Sequence, residues 1–147
     1  MADPVPGSAG REERILVVAA VIRDPASPTG RVLVGLRPAG KRHGGRWEFP
    51  GGKVEPGESV AGAMERELME ELGVRVRQVG AVLHEAADPG SPYLIRFLQV
   101  EVEGTPRALE HDEVRFVSRE EARALPLAPA DRGMVESMRP SGRVPDR

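Results

Sequence analysis

Short apolar runs rich in valine and isoleucine open the chain and predict β-strands. One run covers residues 15–22 and the next covers residues 31–36. Between them, residues 24–30 combine Asp, Pro, Ser and Gly, a composition typical of a turn. We therefore expect the first two strands to pair as a hairpin. The following residues 37–46 are basic and glycine-rich, and they are predicted to form a loop.

The second half of the chain alternates between strand patterns and helix signals. Strands are predicted over residues 74–86 and 92–103, joined by a turn at 88–92, and over the short run 114–117. The irregular alternation of strands and helices, without an internal repeat, indicates an α/β (α+β) fold in which helices pack on a mixed sheet.

Helix ends are marked by capping residues. Ser59 is a suitable N-cap for a helix that runs to about Leu72, where Gly73 can end it. Ser118 begins a capping-box sequence that predicts a short helix. Pro129 suits the first turn of a last helix over residues 129–138.

Composition is that of one globular domain. The 147 residues are 39% hydrophobic and 30% charged, enough to bury a core. We assign the domain to residues 14–138. Flexible tails are predicted over residues 1–13 and 139–147, which are rich in Pro, Gly and charge.

Charge and cysteine content narrow the functional classes. The net charge of -2 provides no general basic field, so neither a nucleic-acid polymer nor a membrane surface is an expected partner. The chain has no cysteine, which excludes disulfides, thiol nucleophiles and Cys-based zinc sites. No signal peptide or membrane span is apparent, and we expect a cytoplasmic protein, either a monomer or a homodimer.

Three carboxylates share one face of the helix that Ser59 begins. Glu67, Glu70 and Glu71 stand at positions i, i+3 and i+4. A neighbouring stripe is apolar and is expected to pack on the sheet; it comprises Ala61, Met64, Leu68 and Leu72. The three glutamates alone are more typical of a solvated acidic face than of a metal site. A cation between them would relieve their repulsion, and ligands that are all oxygen suit Mg²⁺ or Mn²⁺ rather than zinc.

A longer pattern around these glutamates favours the metal site. The sequence satisfies Gly-x5-Glu-x7-Arg-Glu-apolar-x-Glu-Glu-x-Gly-apolar at every position. The matching residues are Gly52, Glu58, Arg66, Glu67, Leu68, Glu70, Glu71, Gly73 and Val74. Average residue usage gives a chance match on the order of 10⁻⁹ per start position. The segment resembles the Nudix box, and residues 15–138 as a whole resemble MutT-type Nudix hydrolases.

This resemblance implies a fold and a reaction. The fold is an α/β/α sandwich around a mixed sheet, in which the box forms loop, helix and loop. The reaction is Mg²⁺-dependent hydrolysis of a nucleoside triphosphate to a monophosphate and pyrophosphate, with Mn²⁺ able to substitute. The metal would neutralise phosphate oxygens and acidify a bound water.

The same resemblance assigns roles to individual residues. The implied metal ligands are Glu67, Glu70, Glu71, Glu113 and the carbonyl of Gly51. Gly52 and Glu58 would lie directly behind them, and Arg66 would orient the carboxylates through salt bridges. Glu67 is our first choice for the base that takes the water proton, with Glu71 and Glu113 as alternatives.

Substrate contacts are predicted outside the box. Arg37, at the end of the second strand, stands where MutT-type enzymes have a substrate-binding arginine, and Phe97 is a further candidate. Asp131, in the loop before the last helix, replaces an Asn that is frequent in members acting on 8-oxoguanine. An ionised carboxylate only accepts hydrogen bonds, which suits the cytosine amine or the N1 and N2 donors of guanine. We therefore favour (d)CTP slightly over 8-oxo-dGTP.

Two alternative functions are compatible with the same residues. One is an ADP-ribose or nucleotide-sugar pyrophosphatase, because Pro89 lies in a region where many of those enzymes carry a proline. The other belongs to a different class, an inactive Nudix-like binding module, although such domains usually lose glutamates of the box. Turnover with Mg²⁺ distinguishes the two classes.

Overall fold

The computed structural model describes residues 14–27 and 30–140. The predicted tail 1–13 and residues 141–147 of the other predicted tail lie outside this part. The strands are β1 (Ile15–Val21), β2 (Arg31–Leu36), β3 (Trp47–Glu48), β4 (Gly51–Lys53), β5 (Arg75–Ala87), β6 (Tyr93–Glu103) and β7 (Glu113–Ser118). The helices are α1 (Val60–Leu72), α2 (Arg119–Arg123) and α3 (Pro129–Ser137). No helix in the described part of the chain is long and apolar enough to cross a membrane.

The strands form two sheets. The larger has the order β4-β1-β6-β5 and is mixed, because β1 and β6 run parallel while the other pairs are antiparallel. The smaller is antiparallel with the order β3-β2-β7. The predicted strands over 15–22, 31–36, 74–86, 92–103 and 114–117 are each confirmed to within one residue at either end. The short strands β3 and β4 were not predicted.

The predicted hairpin of the first two strands is wrong. β1 and β2 lie in different sheets. The residues that directly follow β1 pair with β2 over a short stretch, which includes a bridge between Arg23 and Val32 and a hydrogen bond of 3.0 Å from Leu33 N to Ile22 O. The turn does reverse the chain. However, β4 and β6 occupy both edges of β1, so β1 has no edge left for β2.

Both faces of β1 are buried, which explains its continuous apolar sequence. Val18 and Ala20 pack in the core cluster that contains residues of α1, and Ala19 and Val21 pack in the cluster that contains residues of α3. Helices thus cover opposite faces of the mixed sheet, as an α/β/α sandwich requires.

Helix α1 begins and ends where its capping residues predicted. The Ser59 side chain accepts a hydrogen bond from Gly62 N at 2.9 Å, and Gly73 adopts the left-handed conformation with φ 70°. Its buried residues are Ala63, Met64, Leu68, Glu71 and Leu72. Ala63 therefore takes the place predicted for Ala61, which is exposed. The burial of Glu71 in this stripe brings a carboxylate to the sheet.

Candidate active site

A cleft of about 350 Å³ lies between α1, β4 and the end of β2; we call it the Glu71 cleft. Its lining residues are Arg37, Pro38, Lys41, Glu48, Lys53, Glu55, Glu67, Glu71, Glu110 and His111. Five glutamates thus face three lysine or arginine side chains. An anionic substrate would meet net negative charge here unless a cation bound as well.

Glu71, which is buried, forms a carboxyl pair with the half-buried Glu67 in this cleft. Glu71 is only 7% exposed, and its Oε1 accepts a hydrogen bond from Gly51 N at 3.2 Å. Burial, followed by a hydrogen bond with Glu67 and the charges of Glu48 and Glu67, raises the pKa of Glu71 to about 10. The pair therefore needs a shared proton or a cation to be stable.

Arg66 fixes the position of Glu67. Its guanidinium donates to both oxygens of Glu58, at 2.7 Å and 3.0 Å, to Glu67 Oε2 at 2.9 Å and to the carbonyl of Lys53 at 3.0 Å. The hydrogen bond from Arg66 lowers the pKa of Glu58 to about 2, which keeps this carboxylate ionised. Glu58 thus anchors Arg66, which in turn orients Glu67 toward β4.

The two glycines of β4 permit this close approach. A Cβ added at Gly52 would lie 2.3 Å from Cδ and Oε2 of Glu67. A Cβ added at Gly51 would lie 1.9 Å from the carbonyl oxygen of Val18 on β1. Glycine at 52 makes room for a carboxylate, whereas glycine at 51 makes room for the neighbouring strand.

A second cleft of about 340 Å³ adjoins the first, and we call it the Asp131 cleft. It shares Arg37, Glu48 and Lys53 with the Glu71 cleft. Its other lining residues are Val17, Val18, Ala19, Arg42, His43, Phe49, Gly51, Gly52, Asp88, Tyr93, Ile95, Ala128, Ala130 and Asp131. The mixture of an apolar wall with a few convergent polar groups is typical of a small-molecule site.

Family membership follows from comparison with known proteins. The NUDIX domain model matches residues 13–138. The chain belongs to the Nudix family. The contacts of Arg66, Glu67 and Glu71 described above lie within the matched domain.

Known relatives of this Nudix protein include nucleotide hydrolases. It is 42% identical over 127 residues to the CTP pyrophosphohydrolase of Escherichia coli, covering 84% of this chain and 90% of that protein. It is 34% identical to the putative 8-oxo-dGTP diphosphatase 2 of Mycobacterium tuberculosis, covering 85% and 87%.

Solved structures confirm the Nudix fold. The MutT Nudix hydrolase of Burkholderia pseudomallei has a TM-score of 0.71 at 26% identity, covering 84% of this chain and 97% of that one. The solution structure of the ORF135 protein of Escherichia coli has a TM-score of 0.69 at 40% identity, covering 84% and 87%.

The predicted metal ligands do not all converge in this Nudix structure. The side chain of Glu70 is 51% exposed and lies 3.6 Å from Arg66, and that of Glu113 is 52% exposed and lies 3.6 Å from Arg115. Neither of these two side chains lines the Glu71 cleft, whereas Glu110 does line it. Among residues 14–27 and 30–140, no three His, Cys, Asp or Glu side chains already form a metal-binding group. The carboxyl pair of Glu67 and Glu71 nevertheless fits a hard divalent cation, because its ligands are all oxygen and a cation would relieve their repulsion.

Asp131 lies in the first turn of α3 rather than in the loop before it. It is 5% exposed, and its Oδ2 accepts a hydrogen bond from Phe49 N at 2.8 Å. Burial, followed by the charge of Glu48, raises the pKa of Asp131 well above its ordinary value. The ionised carboxylate assumed from the sequence is therefore disfavoured, and a neutral acid has an O–H to donate.

Arg37 lies at the junction of the two clefts, as its predicted role requires. Its Nη1 is 3.2 Å from both carboxylate oxygens of Glu48, and its Nε donates to the carbonyl of Arg42 at 2.7 Å. His111 Nε2 lies 3.0 Å from Glu48 Oε2. Glu48 thus lies in both clefts, although it was not among the site residues predicted from the sequence. Its signal was a charged residue between two large aromatic ones, Trp47 and Phe49.

The prediction that Phe97 contacts substrate is contradicted by its position. Phe97 is 0% exposed, and its ring centroid lies 5.7 Å from those of Phe49 and His84. Phe97 is on the face of β6 that packs beneath the Asp131 cleft, in the same core cluster as Met134 of α3. It supports the wall of the cleft through Phe49 instead of reaching the ligand.

Proposed function

We propose that this Nudix hydrolase converts nucleoside triphosphates to monophosphate and pyrophosphate with Mg²⁺, and that cytosine nucleotides are preferred. The observation that carries the proposal is the junction of the two clefts. One offers buried carboxylates for a metal and phosphates, and the other offers an apolar wall with a buried acid for a base. Arg37 at the junction is the residue we assign to the phosphate chain.

The metal would be held mainly by Glu67 and Glu71, with the carbonyl of Gly51 beside them. Glu70 and Glu113 remain proposed ligands that would have to turn toward the cleft. When bound, the ion supplies charge neutralisation at the phosphate oxygens and an acidified water. Mn²⁺ offers the same preference for oxygen ligands.

The protein's own groups then orient and transfer protons. Arg66 donates a hydrogen bond to Oε2 of Glu67 and so holds that carboxylate in place. Glu58 in turn accepts a hydrogen bond from Arg66. Glu67 is the proposed base for the water proton, and the buried Glu71 is the alternative. Arg37 is held by Arg42 through Nε and by Glu48 through Nη1, and its Nη2 would then face a phosphate.

Cytosine preference is supported by the chemistry of Asp131. A neutral carboxyl offers one donor and one acceptor, which complements the ring N3 acceptor and exocyclic amine donor of cytosine. The N1 and N2 donors of guanine require two acceptors and so favour the ionised form. A neutral carboxyl also complements uracil and thymine, whereas an ionised carboxylate does not. Discrimination against these two bases must therefore come from other residues of the cleft. The 42% identical relative named CTP pyrophosphohydrolase supports the same choice.

A substrate panel with two variants of Asp131 tests this proposal. Pyrophosphate and monophosphate release is measured with dCTP, 5-methyl-dCTP, 8-oxo-dGTP, dGTP, dATP, dTTP and ADP-ribose. We expect dCTP to be favoured at pH 7, and Asp131→Asn to keep that preference because its amide also offers one donor and one acceptor. Asp131→Ala should lose it. Asp24→Asn, in the turn after β1, is the matched control.

Three results would contradict the proposal in different ways. A preference for 8-oxo-dGTP would replace the cytosine assignment and keep the triphosphate chemistry. Turnover of ADP-ribose alone would refute the triphosphate substrate. An absence of turnover with either Mg²⁺ or Mn²⁺ would favour the binding module.

A further inference from the structure

A buried carboxylate ties together two surface segments that flank the Asp131 cleft. Asp88, in the turn between β5 and β6, is only 4% exposed. Its carboxylate lies 3.0 Å from His43 Nε2 and accepts a hydrogen bond from Arg42 Nε at 3.1 Å. Arg42 also donates to the carbonyl of Pro89 at 3.0 Å. The loop of residues 37–46 is thus fastened to the far side of the cleft.

The same loop reaches the predicted substrate arginine. The carbonyl of Arg42 accepts the 2.7 Å hydrogen bond from Arg37 Nε, while Glu48 holds Nη1. Two contacts therefore fix the Arg37 guanidinium, and one of them depends on where the backbone of Arg42 lies. If the loop shifted, Arg37 would lose its contact with Arg42 and keep only the contact with Glu48, of these two.

The backbone of His43 is a second, independent sign that contacts hold this loop in a defined conformation. His43 is the only residue other than glycine with positive φ in the described part of the chain, at 59°. This left-handed conformation is unfavourable for a side chain with a Cβ and persists only where surrounding contacts compensate. The contacts that hold His43 are that of its side chain with Asp88 and a hydrogen bond of 3.1 Å from Arg46 N to its carbonyl oxygen.

Asp88 is suited to this role because it stays ionised. Burial alone would raise its pKa, but hydrogen bonds from His43 and Arg42 outweigh that effect and hold the pKa below its ordinary value. The Ser91 hydroxyl also lies 3.3 Å from Oδ2. The carboxylate of Asp88 thus contacts residues of the loop and of its own turn.

We propose that Asp88 is a positioning residue for substrate binding, which acts through Arg42 and His43 to hold the loop and thereby to aim Arg37 at the junction of the two clefts. The inference rests on the proposed function in taking Arg37 as a phosphate contact. Asp88 itself touches no reacting atom. Its removal should therefore weaken binding and leave the chemical step intact.

Kinetics of two variants test the effect on binding. Asp88→Asn keeps the shape and removes the charge, and His43→Gly accepts φ 59° without strain while losing the imidazole contact. For both we expect KM for the preferred triphosphate to rise about tenfold, equal to about 1.4 kcal/mol, with kcat changed by less than about twofold. Asp24→Asn, at the opposite end of the mixed sheet, should change neither. If Asp88→Asn unfolds at the assay temperature, His43→Gly decides the result.

Trypsin cleavage tests the tie without relying on activity. Lys41, Arg42 and Arg46 lie in the loop and become cleavable when it is released. We expect faster cleavage there in both variants and an unchanged rate in Asp24→Asn. Unchanged KM and unchanged cleavage in folded variants would overturn the proposal, and so would a fall in kcat at constant KM. If the wild type turns over no triphosphate, the proposed function fails, and cleavage rates alone judge whether Asp88 holds the loop.

Discussion

Gly52→Ala should separate activity from stability in this protein. The added Cβ would lie 2.3 Å from Cδ and from Oε2 of Glu67, and 2.6 Å from Oε1. All three atoms belong to the end of a flexible side chain, so the carboxylate can give way while the backbone of β4 stays paired with β1. The substitution should therefore displace the Glu67 carboxylate and lower activity, with little loss of stability.

The displacement can be estimated from contact distances. Nonbonded carbon atoms are most stable at about 3.5–4.0 Å, so the Glu67 carboxyl must move by roughly 1 Å or more. A misplacement of that size in a catalytic site costs on the order of 10²-fold in rate. The free energy of unfolding should fall by less than about 1.5 kcal/mol, at the low end of overpacking costs.

The matched variant is Gly51→Ala. Its Cβ would meet the carbonyl oxygen of Val18 at 1.9 Å, and that oxygen belongs to the backbone of β1, which is paired on both edges and cannot move independently. We expect Gly51→Ala to lose about 3 kcal/mol or more of stability, or not to fold. Thermal melts and kcat/KM for dCTP are measured for both variants. Near-normal activity in Gly52→Ala, or unfolding as severe as in Gly51→Ala, would refute the assignment of Glu67.

Three further predictions follow from the contacts around the clefts. Arg66→Lys should lower kcat/KM about 10–100-fold, because lysine cannot hold both oxygens of Glu58 while orienting Glu67; equal activity would remove Arg66 from its role. Phe97→Leu should lower the free energy of unfolding by about 1–2 kcal/mol and leave KM nearly unchanged, because leucine still packs behind Phe49; a large rise in KM without loss of stability would place Phe97 in the ligand site. The pKa of Asp131 is higher in the folded than in the unfolded protein, so protonated Asp131 stabilises the fold. This contribution to the free energy of unfolding is fully present below about pH 4 and is lost as the pH rises through the pKa of the folded state. Asp131→Asn should therefore gain stability relative to wild type in denaturant melts from pH 5 to pH 8, and a difference independent of pH would contradict a neutral Asp131.

Local signals in the sequence predicted the fold well where they were strong. Helix α1 was bounded by the cap at Ser59 and by Gly73, and its acidic face followed from spacing alone. Strand pairing was harder, because β1 is paired on both edges by segments distant in sequence. A turn signal shows that the chain reverses and does not show which strands become neighbours.

The candidate site was only partly predictable for similar reasons. Motif spacing identified Glu67 and Glu71, but the burial that distinguishes Glu71 from Glu70 depends on the packing of α1 against β4. Glu48 escaped notice because its importance comes from two partners, Arg37 and His111, that lie elsewhere in the chain. The raised pKa of Asp131 likewise comes from burial, which a local sequence pattern does not report.

Product analysis with dCTP tests the central claim most directly. Wild-type protein and Glu67→Gln are incubated with dCTP in Mg²⁺ and in excess chelator, and dCMP, dCDP, phosphate and pyrophosphate are quantified. We predict equal amounts of dCMP and pyrophosphate, loss of turnover with chelator, and a fall of about 10²–10⁴-fold in Glu67→Gln, the range expected for a lost general base. Release of dCDP and phosphate, turnover without a divalent ion, or full activity of Glu67→Gln would contradict the account.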